Sequence, residues 1–245
     1  MSQIEIKDLL KHYATPGGLI EAADGISFNV EKGDFFLITG EEASGKSTLL
    51  SMLGGLNRPT SGNILVNGTD IYDLSAEKLA DFRHSHLGFV FQSFQLLPFL
   101  TVLENVMLPF VTNEYSLDQQ KEMALSVLRK VYLYYKSGML PGVLTRGEQQ
   151  RVAIARAMVK NPEIILIDEA NPALDTSTST GIMELLKELN EDGRTIITVS
   201  RSRELESYAN KSLYLSQGKG TMVKDEPVRN VPGSDSAQRR SASNL

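Results

Sequence analysis

Apolar and polar residues alternate near the start of the chain, and the pattern then changes twice. Ile4-Glu5-Ile6 reads as an edge strand, and Ile26-Ser27-Phe28-Asn29-Val30 alternates again before the turn Glu31-Lys32-Gly33-Asp34. Phe35-Phe36-Leu37-Ile38 is apolar throughout, as in a strand buried on both faces. The strand-turn pair Gly62-Asn63-Ile64-Leu65-Val66-Asn67-Gly68 predicts a small antiparallel sheet around that strand. Residues 76–86 read as helix, and Leu87-Gly88-Phe89-Val90-Phe91 reads as a buried strand. From about 94 to 157 the spacing becomes helical, with apolar residues at helical intervals in 118–133 and 148–159. Strands return at Ile164-Ile165-Leu166-Ile167 and Thr195-Ile196-Ile197-Thr198-Val199. The helix predicted between them, over 181–189, is a crossover, which marks a parallel α/β core. Leu213-Tyr214-Leu215 is a last short strand. After roughly Glu226 almost nothing can be buried, and a disordered, solvated tail is expected, Arg239-Arg240-Ser241 included.

Composition narrows the class. At 245 residues the chain suits one large or two small domains, and 41% hydrophobic with 22% charged residues is ordinary for a globular protein. A net charge of −5 supplies no basic field for nucleic acid. No apolar run approaches the roughly 18–20 residues that span a bilayer, and no leader pattern opens the sequence. Cysteine is absent, which excludes disulfides and thiolate metal sites. The histidines are His12, His84 and His86.

Candidate chemistry begins where the apolar strand ends. Gly40-Glu41-Glu42-Ala43-Ser44-Gly45-Lys46-Ser47-Thr48 has the spacing GxxxxGK[ST] and lies between a predicted strand and the helix-like Leu49-Leu50-Ser51-Met52-Leu53. Backbone N–H groups of such a loop favour a polyphosphate, the lysine reaches its outer phosphates, and the hydroxyl after the lysine coordinates Mg²⁺. A second element fits this one: the apolar strand 164–167 ends in Asp168-Glu169. An acid there can hold Mg²⁺, directly or through water, and its neighbour can position or deprotonate an attacking water.

Gly147-Glu148-Gln149-Gln150-Arg151-Val152-Ala153-Ile154-Ala155-Arg156-Ala157 closely resembles the segment following the signature motif of ABC-transporter ATPases. The resemblance runs from about residue 3 to 222. It is closest to the lipoprotein-releasing and macrolide- or peptide-exporting branch, judged by Phe91-Gln92-Ser93-Phe94-Gln95-Leu96-Leu97-Pro98 and Thr101-Val102-Leu103-Glu104-Asn105-Val106. It implies a P-loop NTPase core with a parallel sheet, an antiparallel β subdomain and an inserted α-helical subdomain. An ATP-binding domain would span 1–225, its helical subdomain about 94–157, with 226–245 as the tail. ATP and Mg²⁺ are the implied cofactors. The implied partners are a second ATPase subunit, identical or different, docked head-to-tail, and transmembrane permease subunits. The location would be peripheral, on the cytoplasmic face of the plasma (inner) membrane. Hydrolysis would drive export or release of a substrate; the alternative is an ATP-gated dimerisation or regulatory subunit with little turnover.

Residue roles follow from the same resemblance. Tyr13 matches the aromatic that stacks on adenine, its other reading being a packed tyrosine. Gln92 matches the glutamine that senses Mg²⁺ and the γ-phosphate, Glu169 the catalytic carboxylate, and Asp168 with Ser47 the metal side. Asp175 matches the aspartate that crosses the dimer interface, and Leu144-Thr145-Arg146-Gly147 occupies the signature position facing the partner's ATP. Leu96-Leu97-Pro98-Phe99-Leu100 is either a groove for a membrane subunit's coupling helix or ordinary core.

The sequence departs from the family at four places. Glu41-Glu42-Ala43 replaces small residues and a glycine; each carboxylate about 5 Å from a phosphate costs roughly 1 kcal/mol in water and about 3 at an effective dielectric of 20. A positive φ at Ala43 would add about 1 kcal/mol. Arg146 replaces a signature glycine and either holds the dimer apart or contacts the partner's phosphate. Ala170-Asn171 follows the acidic pair where Pro-Thr is usual, and Arg201 stands where a switch histidine is expected. Arginine still donates to a γ-phosphate, with fixed charge and longer reach. The expectation is binding retained and turnover reduced.

Overall fold

The computed structural model describes residues 2–110, 115–169, 176–201 and 203–227, and only the backbone of residues 176, 177, 203 and 204. The chain opens with the long strands β1 (Ser2–Thr15) and β2 (Gly18–Glu31), then β3 (Phe35–Gly40) and α1 (Lys46–Leu53). β4 (Ser61–Val66), β5 (Thr69–Asp70), α2 (Ala76–His86) and β6 (Leu87–Val90) follow. Three helices come next: α3 (Val102–Met107), α4 (Leu117–Lys130) and α5 (Arg146–Met158). The chain then runs through β7 (Ile164–Asp168), α6 (Thr176–Glu191), β8 (Thr195–Ser200), β9 (Lys211–Ser216) and β10 (Lys219–Asp225).

Two sheets result. One has six strands in the order β10-β9-β3-β8-β7-β6, parallel except for the β9–β10 hairpin. The other is a four-stranded antiparallel sheet, β2-β1-β4-β5. The apolar run in β3 is explained by its position. Successive side chains of a strand point to opposite faces. Phe35 and Leu37 join a core with the helical region, whereas Phe36 and Ile38 join α1 and the antiparallel sheet in a second core. The two sheets pack where Phe28 stacks on Phe36 with ring centroids 5.0 Å apart.

Several sequence expectations need correction. Ile4-Glu5-Ile6 is not an edge: β1 is 14 residues long and lies between β2 and β4. The antiparallel sheet does not surround β3 by pairing with it; it is a separate layer. Helix does not begin near 94, because Phe94 and Gln95 both have positive φ and α3 starts at Val102. β10 was missed, as Lys219–Asp225 is mostly exposed and carries little apolar alternation. The Gln217-Gly218 turn before it, with φ of 48° and 77°, has the geometry favoured in two-residue hairpins.

Helices α3, α4 and α5 each start with a capping box, Thr101/Glu104, Ser116/Gln119 and Thr145/Glu148. Each box satisfies otherwise orphaned backbone donors. No helix among the described residues is long and apolar enough to cross a membrane.

Candidate functional site

Strand register assembles the site. Parallel strands bring their carboxyl ends to one edge of the sheet, where ligands of open α/β folds bind. Val90 pairs with Ile167, so Gln92 and Glu169, each two residues further on, arrive side by side. Asp168 pairs with Val199 and Thr39 with Ser200, which brings Glu169, Arg201 and the loop after Gly40 together. These residues face a cavity of about 310 Å³ lined by Tyr13, residues 42–48, Gln92, Asp168, Glu169 and Arg201.

The loop needs its two glycines for packing as well as dihedral freedom. A Cβ on Gly40 would lie 2.1 Å from the Leu215 carbonyl oxygen, and one on Gly45 2.1 Å from that of Ala22. Gly45 has φ 100°. Ala43 does adopt a positive φ, 58°, so the strain anticipated for a side chain there is present. Lys46 turns back onto the loop, donating to the carbonyls of Gly40 (2.9 Å) and Glu41 and to Ser44 Oγ (3.2 Å). Burial, then the nearby Arg201 charge, lowers the Lys46 pKa, while the neighbouring carboxylates oppose that shift. Thr48 follows in the first turn of α1 and lines the cavity.

On the acidic wall, Ser47 Oγ donates to Asp168 Oδ1 at 2.9 Å. Burial raises the Asp168 pKa; the Glu169 charge adds to the shift and the Ser47 hydrogen bond opposes it. Glu169 sits at φ 60°, an uncommon conformation for a non-glycine residue. Its two oxygens are engaged separately: Gln92 Nε2 donates to Oε2, and Arg201 Nε lies 2.7 Å from Oε1. Arg201 Nη1 also reaches Glu42 Oε1 at 3.5 Å.

At the other end Tyr13 is 37% exposed, and its hydroxyl accepts a hydrogen bond from Asn57 Nδ2 at 2.6 Å. The Lys11 ammonium lies 5.0 Å from the Tyr13 ring centroid, and Ile20, the cross-strand neighbour of Tyr13, lines the cavity with it. Sequence reasoning missed Ile20 and Asn57. The Ile20 signal was alternation along β2, hidden because the hairpin extends further than the apolar pattern suggests.

Thr145, Arg146 and Gly147 do not line this cavity. Thr145 caps α5, Arg146 is its first residue, and a Cβ on Gly147 would lie 2.3 Å from Thr178 Cγ2 on α6. Asp175, Ala170 and Asn171 lie outside the described residues, as do residues 228–245 of the expected tail. Two supports that the sequence did not announce hold the segment after Gln92. Arg156 donates to the carbonyls of Gln95 (2.7 Å) and Phe94 (2.6 Å), and Asn105 is fully buried with its amide bonded to Leu97, Leu100 and Thr101. Within Leu96–Leu100, Phe99 is 73% exposed, so this run is not all core.

An ABC transporter family model matches residues 23–171. The chain is 36% identical to the macrolide export ATP-binding/permease protein MacB of Hyphomonas neptunium, over 98% of this chain but 37% of that protein. It therefore spans little more than a third of the length of such relatives. An uncharacterized ABC transporter ATP-binding protein of Methanocaldococcus jannaschii, MJ0796, is 38% identical over 92% of this chain and 97% of its own length. The dimeric structure of that ATP-binding cassette in a post-hydrolysis state, bound to ADP and Pi, superposes with a TM-score of 0.83 at 36% identity. It covers 93% of this chain and all of that one. With the loop, the acidic strand end and the two-layered sheets in place, these matches establish that the chain belongs to the ABC transporter family.

Proposed function

We propose that this chain is an ATP-binding subunit that hydrolyses ATP to drive export or release of a substrate by membrane partner subunits. The observation that carries this reading is the convergence of Lys46, Ser47, Asp168, Glu169 and Gln92 on one cavity at the carboxyl edge of the parallel sheet. Lys46 would exchange the carbonyls of Gly40 and Glu41 for phosphate oxygens, which carry more charge. Tyr13 offers a half-exposed ring for the base.

The donor set suits Mg²⁺. Ser47 Oγ and Asp168 Oδ1 are hard oxygens already 2.9 Å apart, and the Gln92 amide lines the same cavity. Magnesium takes one or two protein oxygens and fills its remaining positions with phosphate and water. When bound, it would neutralise charge on the phosphate oxygens. Glu169 would orient the attacking water and take its proton, with Gln92 holding the carboxylate in place.

The ATP-binding domain is read as 1–225, with a helical subdomain at about 94–157. A second cassette would supply its signature segment, its Thr145, Arg146, Gly147 and Asp175 equivalents, to this chain's ATP. Phe99 and Met139, 73% and 42% exposed on segments joined by the Val102 N–H to Met139 carbonyl bond, suit contact with a permease helix. The site would face the cytoplasm, peripheral to the membrane.

Glu169→Gln tests the reading: hydrolysis should fall to background while calorimetry still detects MgATP binding. Undiminished turnover would refute the assigned base. A second reading, an ATP-gated regulatory subunit with little turnover, is favoured by the engagement of both Glu169 oxygens. Arg201→His combined with Arg146→Gly separates the two, since a large gain in rate marks a hindered ATPase.

A further inference from the structure

The described residues lining the cavity include three carboxylates, Glu42, Asp168 and Glu169, against two cations, Lys46 and Arg201. A polyphosphate would add further negative charge to a wall that is already net acidic. Glu42 is the carboxylate placed worst for this, because it lies within the phosphate loop itself. Its carboxylate meets Arg201, with Nη1 3.5 Å from Oε1. The same guanidinium places Nε 2.7 Å from Glu169, so it bridges the loop and the acidic strand end.

We propose that Glu42 and Arg201 are a compensating pair, with Glu42 acting as a positioning residue that holds the arginine where a terminal phosphate would sit. Arginine suits this role because its planar fork offers five N–H groups, leaving donors for a phosphate while two hold carboxylates. Glu42 then costs little while Arg201 is present. Without Arg201 it loses its ion-pair partner and adds an anion to the loop. The effect is greater for a triphosphate than for a diphosphate, since the terminal phosphate adds charge closest to the pair. This inference rests on the nucleotide-binding reading of the same site.

Charge exposure sets the scale. The Glu42 side chain is 80% exposed and that of Arg201 54%, so solvent screening limits the direct attraction. The consequence is a coupling of several-fold in an equilibrium constant, within reach of a double-mutant cycle.

The test uses the full chain, with Glu42→Gln, Arg201→Gln and the double substitution titrated calorimetrically with MgATP and with MgADP. Glu42→Gln alone should change MgATP affinity by less than about 3-fold, within the range of an exposed pair. Arg201→Gln should weaken it by about 10-fold, and adding Glu42→Gln to that background should recover about 5-fold of the loss. The same recovery should be smaller with MgADP. Glu42→Asp should behave as the parent, and unfolding temperatures without nucleotide should stay together across the set. Independent effects, with the double variant equal to the product of the single ones, overturn the pairing. Equal recovery with MgADP and MgATP overturns the placement beside the terminal phosphate. Failure of the parent chain to bind either nucleotide refutes the nucleotide reading instead, so the two failures are distinct.

Discussion

Ser47 Oγ donates to Asp168 Oδ1 at 2.9 Å, joining the first turn of α1 to the tip of β7 across 121 residues of sequence. The contact shows how a loop and a strand end with no local connection form a single site. It also gives a pH signature. Burial lifts the Asp168 pKa above its ordinary 3.8, so in the window just above pH 4 the folded protein holds this proton more tightly than the unfolded chain does. The associated stability is complete below about pH 4 and is lost as pH rises through the raised value. Asp168→Asn keeps the acceptor and cannot ionise. The nucleotide-free variant should therefore be more stable than its parent at pH 7, by a margin that shrinks toward pH 4. Denaturant titrations across that range measure it, and a margin independent of pH would contradict the burial argument.

Ala43→Gly should relieve the strain of a side chain held at φ 58°. The expected gain is up to about 1 kcal/mol of stability, partly offset by the greater freedom of glycine in the unfolded chain. Chemical denaturation of the nucleotide-free protein is the measurement. A loss of stability would mean that the loop tolerates this backbone without strain.

Gly147→Ala should destabilise by about 1–3 kcal/mol, because its Cβ would lie 2.3 Å from Thr178 Cγ2. Thr178→Ser removes that methyl and keeps the hydroxyl. In the double variant most of the loss should be recovered, as read by thermal unfolding. No recovery would place the cost elsewhere in α5.

Asp34→Asn should cost about 3 kcal/mol or more, as it leaves a cation deprived of its buried partner. Asp34 is fully buried, lies 3.3 Å from Lys211 Nζ, and accepts hydrogen bonds from the Glu31 N–H and Asn210. Lys211 keeps a contact with the exposed Asp225, which sets a limit on the loss. Urea midpoints of the two proteins decide it.

Much of the fold was legible because strands buried on both faces leave apolar runs that few other structures produce. β3 and β7 are such runs, β8 shows strand character despite its threonines, and the helical pattern over 76–86 coincides with α2. Turn-rich and exposed elements were not legible. β10 lacks an apolar face, and the segment from Phe94 to Thr101 has apolar residues in a loop whose carbonyls are satisfied by Arg156 and the buried Asn105. No periodicity announces a partner so distant in sequence. In the site, the motif spacing pointed to Lys46, Ser47 and the Asp168-Glu169 pair, because a phosphate loop needs fixed separations. The pairing of Glu42 with Arg201 was hidden for the opposite reason. Read singly, each residue looked like damage, and only the register between β3 and β8 brings them together.

The grip of Arg156 on two successive carbonyls has a mechanical consequence. Each bond from a charged donor is worth about 1.5–3 kcal/mol, so α5 and the turn beyond Gln92 shift as one lever or surrender both bonds. The same helix carries Thr145 and Arg146 at its opposite end. The turn beyond Gln92 and the end of α5 that bears Thr145 are thereby tied through a single helix.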